Sequence, residues 1–364
     1  MKIGILGGGQ LGRMLALSGY PLGLDFVFYE PTEGAPTSRI APTIRGAFDE
    51  TAMLARFAAE VDVVTYELEH LPLQAVECIE PTRPVYPPPQ ALAIGQNRIR
   101  EKTFFQSLGV PTPRFAPITC SGDLAAALEQ VGSPAVLKTT LQGYDGKGQR
   151  RVNSVHEATQ AFVELGGNEL IAEEFISFER EVSIVAVRSR AGETRFYPLV
   201  QNHHSSGILI RTEAPAPALT PALQLEAEDL CQRILNALDY VGVLTIEFFV
   251  RGGHLVANEM APRVHNSGHW TIEGATTSQF ENHLRAIAGL PLGTTTAREE
   301  WTMFNLIGGE PTPANFLDVP GAHLHLYGKS SKPGRKIGHV TVLRRDAAVV
   351  AKLIANELAA PQVR

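Results

Sequence analysis

Cysteine is scarce: Cys78, Cys120 and Cys231 are the only three in 364 residues. They lie far apart, are odd in number and include no CxxC pair, so a disulfide framework, a thiolate zinc site and a dithiol redox motif are all disfavoured. A reducing compartment suits this usage, and each thiol reads as a small buried hydrophobe. Long apolar runs are also missing, since none approaches the roughly 18 residues of a membrane span. The opening MKIGILGGGQ breaks into glycines before a signal-peptide apolar region develops. The expected setting is cytoplasmic, with no membrane partner. Positive charge is in deficit: Lys plus Arg total 32 against 38 Asp plus Glu, a net charge of −6. No global field therefore recruits nucleic acid, although a local basic pocket stays possible.

What is present is ordinary globular composition, with 44% hydrophobic and 19% charged residues. At about 150 residues per domain the length suggests two or three domains. The start reads as a βαβ unit: a strand to Leu6, a glycine turn over Gly7–Gly12, a helix over Leu11–Ser18 and a strand over Leu24–Tyr29. A helix near 49–60, a strand over 61–66 and a proline-rich stretch over 81–89 close this region near residue 97. Beyond a helix ended by Gly109, Ser121 is expected to cap a helix reaching Val131. A strand over 135–140, a glycine loop over 143–148, a strand over 149–152 and a helix over 155–165 come next. From Glu169 strands dominate, with helices near 221–238, 278–288 and 347–358.

Gly7, Gly9 and Gly12 spell G-x-G-x-x-G between strand and helix, and Glu30 ends the second strand, as a dinucleotide fingerprint requires. The same glycines equally suit a turn serving packing or another anion. Downstream, AVLKTTLQGYDGKGQ places Lys138 at a strand end, five residues before Gly143-Tyr144-Asp145-Gly146-Lys147-Gly148. Successive amides in such a loop form an anion nest and the lysines add point charge, so a polyphosphate fits. Asp145-Gly146 alone is a common hairpin turn. The segment IAEEFISFEREV adds Glu173, Glu174, Glu179 and Glu181 beside apolar residues, mostly as solvated strand-face acids.

The run LTIEFFVRGGHLVANEMAPRVHNSGHW is a hairpin signal around Arg251-Gly252-Gly253. A three-residue loop, 252–254, sets Glu247 directly opposite Glu259, where the two carboxylates repel unless a hard cation such as magnesium lies between them. A two-residue Gly252-Gly253 turn instead sets Asn258 opposite Glu247, so the metal reading needs the longer loop or a bulge.

GGGQLGRM at 7–14, YDGKG at 144–148, NEMAPRVHNSGH at 258–269 and PGRK at 333–336 together resemble the ATP-grasp superfamily, over essentially the whole chain. Within it the chain is similar to the purine-biosynthesis branch that carboxylates aminoimidazole ribonucleotide. The resemblance implies an α/β (α+β), three-domain ATP-grasp fold: a Rossmann-like N-terminal domain over 1–97 that binds no NAD, a small lid domain over 98–172 and a large domain over 173–364. It carries ATP contacts to Arg98, Lys138, Gly143, Tyr144, Asp145, Gly146, Lys147, Gly148, Gln149, Glu173, Glu174, Phe175, Ile176, Glu181, His204, Asn258 and Glu259. Metal positions fall on Glu247 and Glu259, with two magnesium ions expected. Substrate contacts fall on Tyr144, Asp145, Arg263, His265, Asn266, Lys329 and Arg335, and on Glu67. Related carboxylases and peptide-type ligases usually carry Asn two residues beyond the second metal Glu, where this chain has Ala261.

The implied reaction couples ATP cleavage to bicarbonate, giving carboxyphosphate and then a carbamate on the substrate amine. Phosphoryl transfer needs charge neutralisation and positioning, for which Lys138 and Arg263 are the expected catalytic groups. A closing loop over 143–148 would exclude water. The basic run Lys329, Lys332, Arg335 and Lys336 otherwise reads as a solvated loop. No zinc site is expected from His265 and His269 or from His323 and His325. The implied partners are small molecules and a second copy of the chain. Formate-dependent phosphoribosylglycinamide formylation and an NAD-dependent oxidoreductase are the rival readings.

Overall fold

The computed structural model describes residues 1–141, 143 and 147–358, so Tyr144, Asp145 and Gly146 of the glycine loop lie outside the described residues. Three sheets organise the chain. In the first, β1 (Lys2–Leu6), β2 (Asp25–Tyr29), β3 (Thr43–Ile44) and β4 (Val63–Tyr66) run parallel in the order β3-β2-β1-β4. β1, β2 and β4 are almost wholly buried, as parallel strands covered on both faces must be. The helix Gln10–Gly19 follows β1 through the glycine turn.

The second sheet is antiparallel, with β5 (Phe115–Ile118), β6 (Ala135–Thr139), β7 (Gln149–Val152) and β8 (Leu170–Glu174) in the order β5-β8-β6-β7. The boundary expected at 172 falls inside β8. Helices Leu124–Val131 and Val155–Glu164 bury their apolar faces in its core. Ser154 caps the latter, accepting from Glu157 N at 3.2 Å. Ser121 does not cap the former: it opens a short 3-10 turn, and Asp123 supplies the carboxylate that accepts from the Thr119 and Cys120 amides. Cys120 sits at that turn and is exposed, and Cys78 is half-buried, so only Cys231 is the buried hydrophobe expected of all three.

The third sheet has nine strands: β9 (Arg180–Arg188), β10 (Thr194–Phe196), β11 (Val200–Ser205), β12 (Ile208–Ala214), β13 (Gly242–Arg251), β14 (His254–Ala261), β15 (Trp301–Ile307), β16 (His323–Leu326) and β17 (Lys336–Leu343). The path is β14-β13-β9-β11-β12-β15-β17-β16, with β10 beside β9. Helix Pro221–Ala237 and helix Gln279–Ala288 pack against it in separate apolar clusters. The latter also meets the first helix, which joins the first sheet to the third. His283 closes that junction: its Nδ1 accepts from Val243 N at 3.1 Å, so the opposite nitrogen carries the proton and donates to Thr65 Oγ1 at 2.9 Å. Among the described residues no helix is long and apolar enough to cross a membrane.

Candidate active site

A cleft of about 810 Å3 is lined by strands of the third sheet and by segments that follow strands of the first two. Its first wall is the glycine turn after β1. Glu30 accepts from Gly8 N at 2.7 Å and from Thr32 N at 2.8 Å. Glu67, at the end of β4, accepts from Gly9 N at 2.5 Å and from Leu11 N and Gly12 N at 3.1 Å each. A Cβ at Gly9 would stand 2.4 Å from Glu67 Oε1, so glycine is needed there for a carboxylate to approach. The anion at this helix start is the chain's own Glu67, and the acid expected on a ribose is tied to the turn. A dinucleotide pyrophosphate finds its amides taken and a negative charge in its place, which removes the NAD reading.

The facing wall is the β13–β14 hairpin. Its turn is the two-residue one, with Gly252 and Gly253 at φ +59° and +76°, and Arg251 pairs with His254. Of the two turns left open by the sequence, the structure has the shorter. Phe248 still pairs with Ala257, after which Asn258 is bulged out and Glu247 pairs with Glu259. The bulge restores the opposition that the short turn alone would have removed.

Burial and then the Glu259 charge push the Glu247 carboxyl up to about 7, against the opposing pull of His204. Arg98 bridges two walls, donating to Glu259 Oε2 at 3.2 Å and to the Gly143 carbonyl at 2.7 Å. His265 Nε2 stands 3.3 Å from Glu247 Oε1. Burial, with Arg263 and Lys336 nearby, holds this imidazole neutral, and its Nδ1 accepts from Ser267 N at 3.3 Å. The hydrogen is therefore on Nε2, the nitrogen that lies beside Glu247. A buried chain stands behind it: Thr212 Oγ1 donates to Asn202 Oδ1 at 3.0 Å, Asn202 Nδ2 to Ser183 Oγ at 3.0 Å and Ser183 Oγ to Ser267 Oγ at 2.8 Å. Burial would lower His204, but its 2.6 Å hydrogen bond to Glu181 and the Glu247 charge outweigh that and raise it.

Arg263 is held by Glu69 at 2.6 Å and donates to the Val264 carbonyl at 2.8 Å. Lys329 hydrogen-bonds Gln10, Arg335 reaches Ser330 Oγ at 3.0 Å, and Asn266 pairs with the Asn305 amide. Among the described residues, seven Lys and Arg side chains line the cleft against five Glu, in a chain whose net charge is −6.

The cleft thus gathers Glu67, Arg98, Gly143, Lys147, His204, Glu247, Glu259, Arg263, His265, Asn266, Lys329 and Arg335. Lys138, Gly148, Gln149, Glu173, Glu174, Phe175, Ile176, Glu181 and Asn258 do not line it. Lys138 ion-pairs with Glu173 at 2.9 Å, and Lys102 approaches the same oxygen at 3.6 Å. Despite burial, these two lysines bring Glu173 down to about 2. Glu174 is engaged by Arg114 and Arg251, and Arg151 lies 4.1 Å above the Phe175 ring. Sequence reasoning missed Gln10, Glu69, His70 and Glu101, all on the lining. Glu101 had a signal: with Lys102 it shares the inward side of the Arg98–Ser107 helix with Phe105, at helical spacing.

A carboxylate pair opposed in a partly buried wall suits a hard divalent cation. Among the described residues no group of three or more His, Cys, Asp or Glu forms a complete cage. The donor set therefore fits a magnesium ion whose remaining positions go to phosphate oxygens and water.

Three family models match in succession: the ribonucleotide synthetase preATP-grasp domain over 1–96, the ATP-grasp domain over 103–280 and the phosphoribosylaminoimidazole carboxylase C-terminal domain over 302–353. The N5-carboxyaminoimidazole ribonucleotide synthase of Pseudomonas aeruginosa is 51% identical over 356 residues, 98% of each chain. The chain belongs to the N5-carboxyaminoimidazole ribonucleotide synthase family. The synthetase of that name from Thermus thermophilus superposes with a TM-score of 0.93 at 52% identity, covering both chains in full. A synthase of the family from Aspergillus clavatus, solved with ADP and 5-aminoimidazole ribonucleotide, gives 0.89 at 33% identity over 97% of each chain.

Proposed function

We propose that this chain is an ATP-dependent ligase that carboxylates the exocyclic amine of 5-aminoimidazole ribonucleotide, yielding 5-(carboxyamino)imidazole ribonucleotide, ADP and phosphate in de novo purine biosynthesis. The observation that carries this reading is the Glu247–Glu259 pair, set by the Asn258 bulge into a cationic cleft of a chain from this family.

A bicarbonate oxygen attacks the γ-phosphorus of ATP, ADP leaves, and carboxyphosphate forms. It breaks down to phosphate and carbon dioxide; the amine then adds to the carbon and loses one proton. Such transfer depends on alignment and on neutralising charge spread over the phosphoryl oxygens. Glu247 and Glu259 are the residues to hold magnesium, one or two ions, which when bound would neutralise phosphate charge. Arg98 already joins Glu259 to the glycine loop, so it suits the nucleotide phosphates, together with Lys147 on the cleft lining and Lys138. The remaining nucleotide contacts expected at Gly148, Gln149, 173–176, Glu181, His204 and Asn258 stay part of this proposal, as do those at Tyr144, Asp145 and Gly146.

Arg263, splayed by Glu69 and its neighbour's carbonyl, is placed to hold bicarbonate and then carboxyphosphate. His265 presents an N–H toward the same space, and Asn266 adjoins it. Lys329 and Arg335 suit the ribonucleotide 5′-phosphate, and Glu67 adjoins Lys329 through Gln10 and the first helix. Closure of 143–148 over the bound substrates would keep carbon dioxide from water. We also propose a cytoplasmic homodimer, which a monomer in analytical ultracentrifugation would contradict.

The test is ADP release in a coupled assay. ADP should appear only when 5-aminoimidazole ribonucleotide and bicarbonate are both present. Equal turnover with formate and glycinamide ribonucleotide would overturn the assignment in favour of formylation.

A further inference from the structure

β14 is an edge strand of the nine-stranded sheet, so backbone groups on its outer side need partners other than a strand. The Arg98–Ser107 helix and the residues after it supply them. Pro111 O accepts from Ala257 N at 2.7 Å, Lys102 Nζ donates to Asn258 O at 2.7 Å, and Glu101 Oε1 accepts from Met260 N at 2.7 Å. The groups taken by the Lys102 and Glu101 side chains are the carbonyl just before Glu259 and the amide just after it. Both side chains are buried, Glu101 at 2% and Lys102 at 1% exposure, a costly placement that a merely solvated helix face would not require. The helix is itself fixed. Asn97 Oδ1 accepts from Ile99 N and Arg100 N at 3.0 Å, and Arg98 N donates to Thr140 O at 3.0 Å.

We propose that Glu101 and Lys102 are positioning residues that grip the Asn258 bulge from the sheet edge and so keep Glu259 opposite Glu247. A bulge stores a one-residue choice of register, and the wrong choice turns Glu259 to the other face. The two buried side-chain hydrogen bonds, one on each flank of Glu259, settle that choice. This inference rests on the reading of 247 and 259 as the metal pair.

The experiment is Mn2+ binding followed by electron paramagnetic resonance in the presence of ADP, on the intact protein. Glu101→Ala should weaken Mn2+ binding about tenfold or more, the scale of losing an outer-shell support. Glu101→Gln keeps an oxygen for the Met260 amide while removing the charge, so it should bind Mn2+ within about twofold of wild type. Lys102→Met should resemble Glu101→Ala. If Glu101→Ala fails to fold, Lys102→Met carries the test, and wild-type Mn2+ affinity in it overturns the grip. Equal loss in Glu101→Gln and Glu101→Ala would assign the effect to charge and also overturn it. Glu259→Gln is the control: unchanged Mn2+ binding there overturns the metal reading itself, whereas loss there with wild-type binding in Glu101→Ala overturns the grip alone.

Discussion

Two pairs of glutamates stand on opposite sides of the molecule's cleft, Glu30 behind the lining and Glu67, Glu247 and Glu259 on it, and they are treated in opposite ways. Glu30 and Glu67 on the Rossmann-like side receive five backbone amides between them. Burial still raises Glu67, but the Gly12 and Gly9 amides oppose it. Glu247 and Glu259 on the hairpin side are set against each other and met by the His265 and Arg98 side chains, and Glu247 is pushed up to about 7. An acid satisfied by backbone is part of the architecture; an acid held against a second acid is waiting for a cation. The motif that looks most like a cofactor site is therefore the one the protein has filled itself.

The largest expected effect falls on the mutually opposed pair. Glu259→Gln should fold normally yet lose at least about 100-fold in turnover, since one of the two carboxylates that would hold the cation neutralising the transferring phosphoryl group is gone. Unchanged activity would erase the distinction between the pairs. On the satisfied side, Glu67→Ala should cost about 1–3 kcal/mol in urea denaturation, because its amides lose a buried acceptor. It should not create nicotinamide binding, which calorimetry would detect.

His283 ties the two sides together, since Thr65 lies two residues before Glu67 and Val243 four before Glu247. Burial lowers its imidazole to about 3, below its unfolded value near 6.5. The unfolded chain thus binds the extra proton first, and stability should fall as pH drops from about 6.5 toward 3, by at most about 1.4 kcal/mol per pH unit from this residue. His283→Gln should flatten the slope of melting temperature against pH; an unaltered slope would deny the bridge its role. The smallest effect is expected for Glu30→Gln, below about 1 kcal/mol, because one amide oxygen can still accept from Gly8 or Thr32.

Much of this was legible in the sequence. The parallel opening was readable because β1, β2 and β4 are buried apolar runs separated by glycine and helix signals. The identity of the acid pair was readable too, but its geometry was not. A Gly252-Gly253 turn argues for the wrong register, and the correcting bulge is held by Glu101 and Lys102, more than 150 residues away. Glu69 was invisible for the same reason, because nothing near it in sequence announces Arg263. Cys120 was misjudged because a thiol in a capping turn is placed by its backbone and not by its hydrophobicity.

The central claim is that this cleft activates bicarbonate with the γ-phosphoryl group of ATP, and oxygen transfer tests it most directly. With 18O-labelled bicarbonate, ATP and 5-aminoimidazole ribonucleotide, rapid quenching and mass spectrometry should find one bicarbonate oxygen in the released phosphate. Phosphate that takes its new oxygen from water instead would contradict the carboxyphosphate route and the use of the cleft described for it.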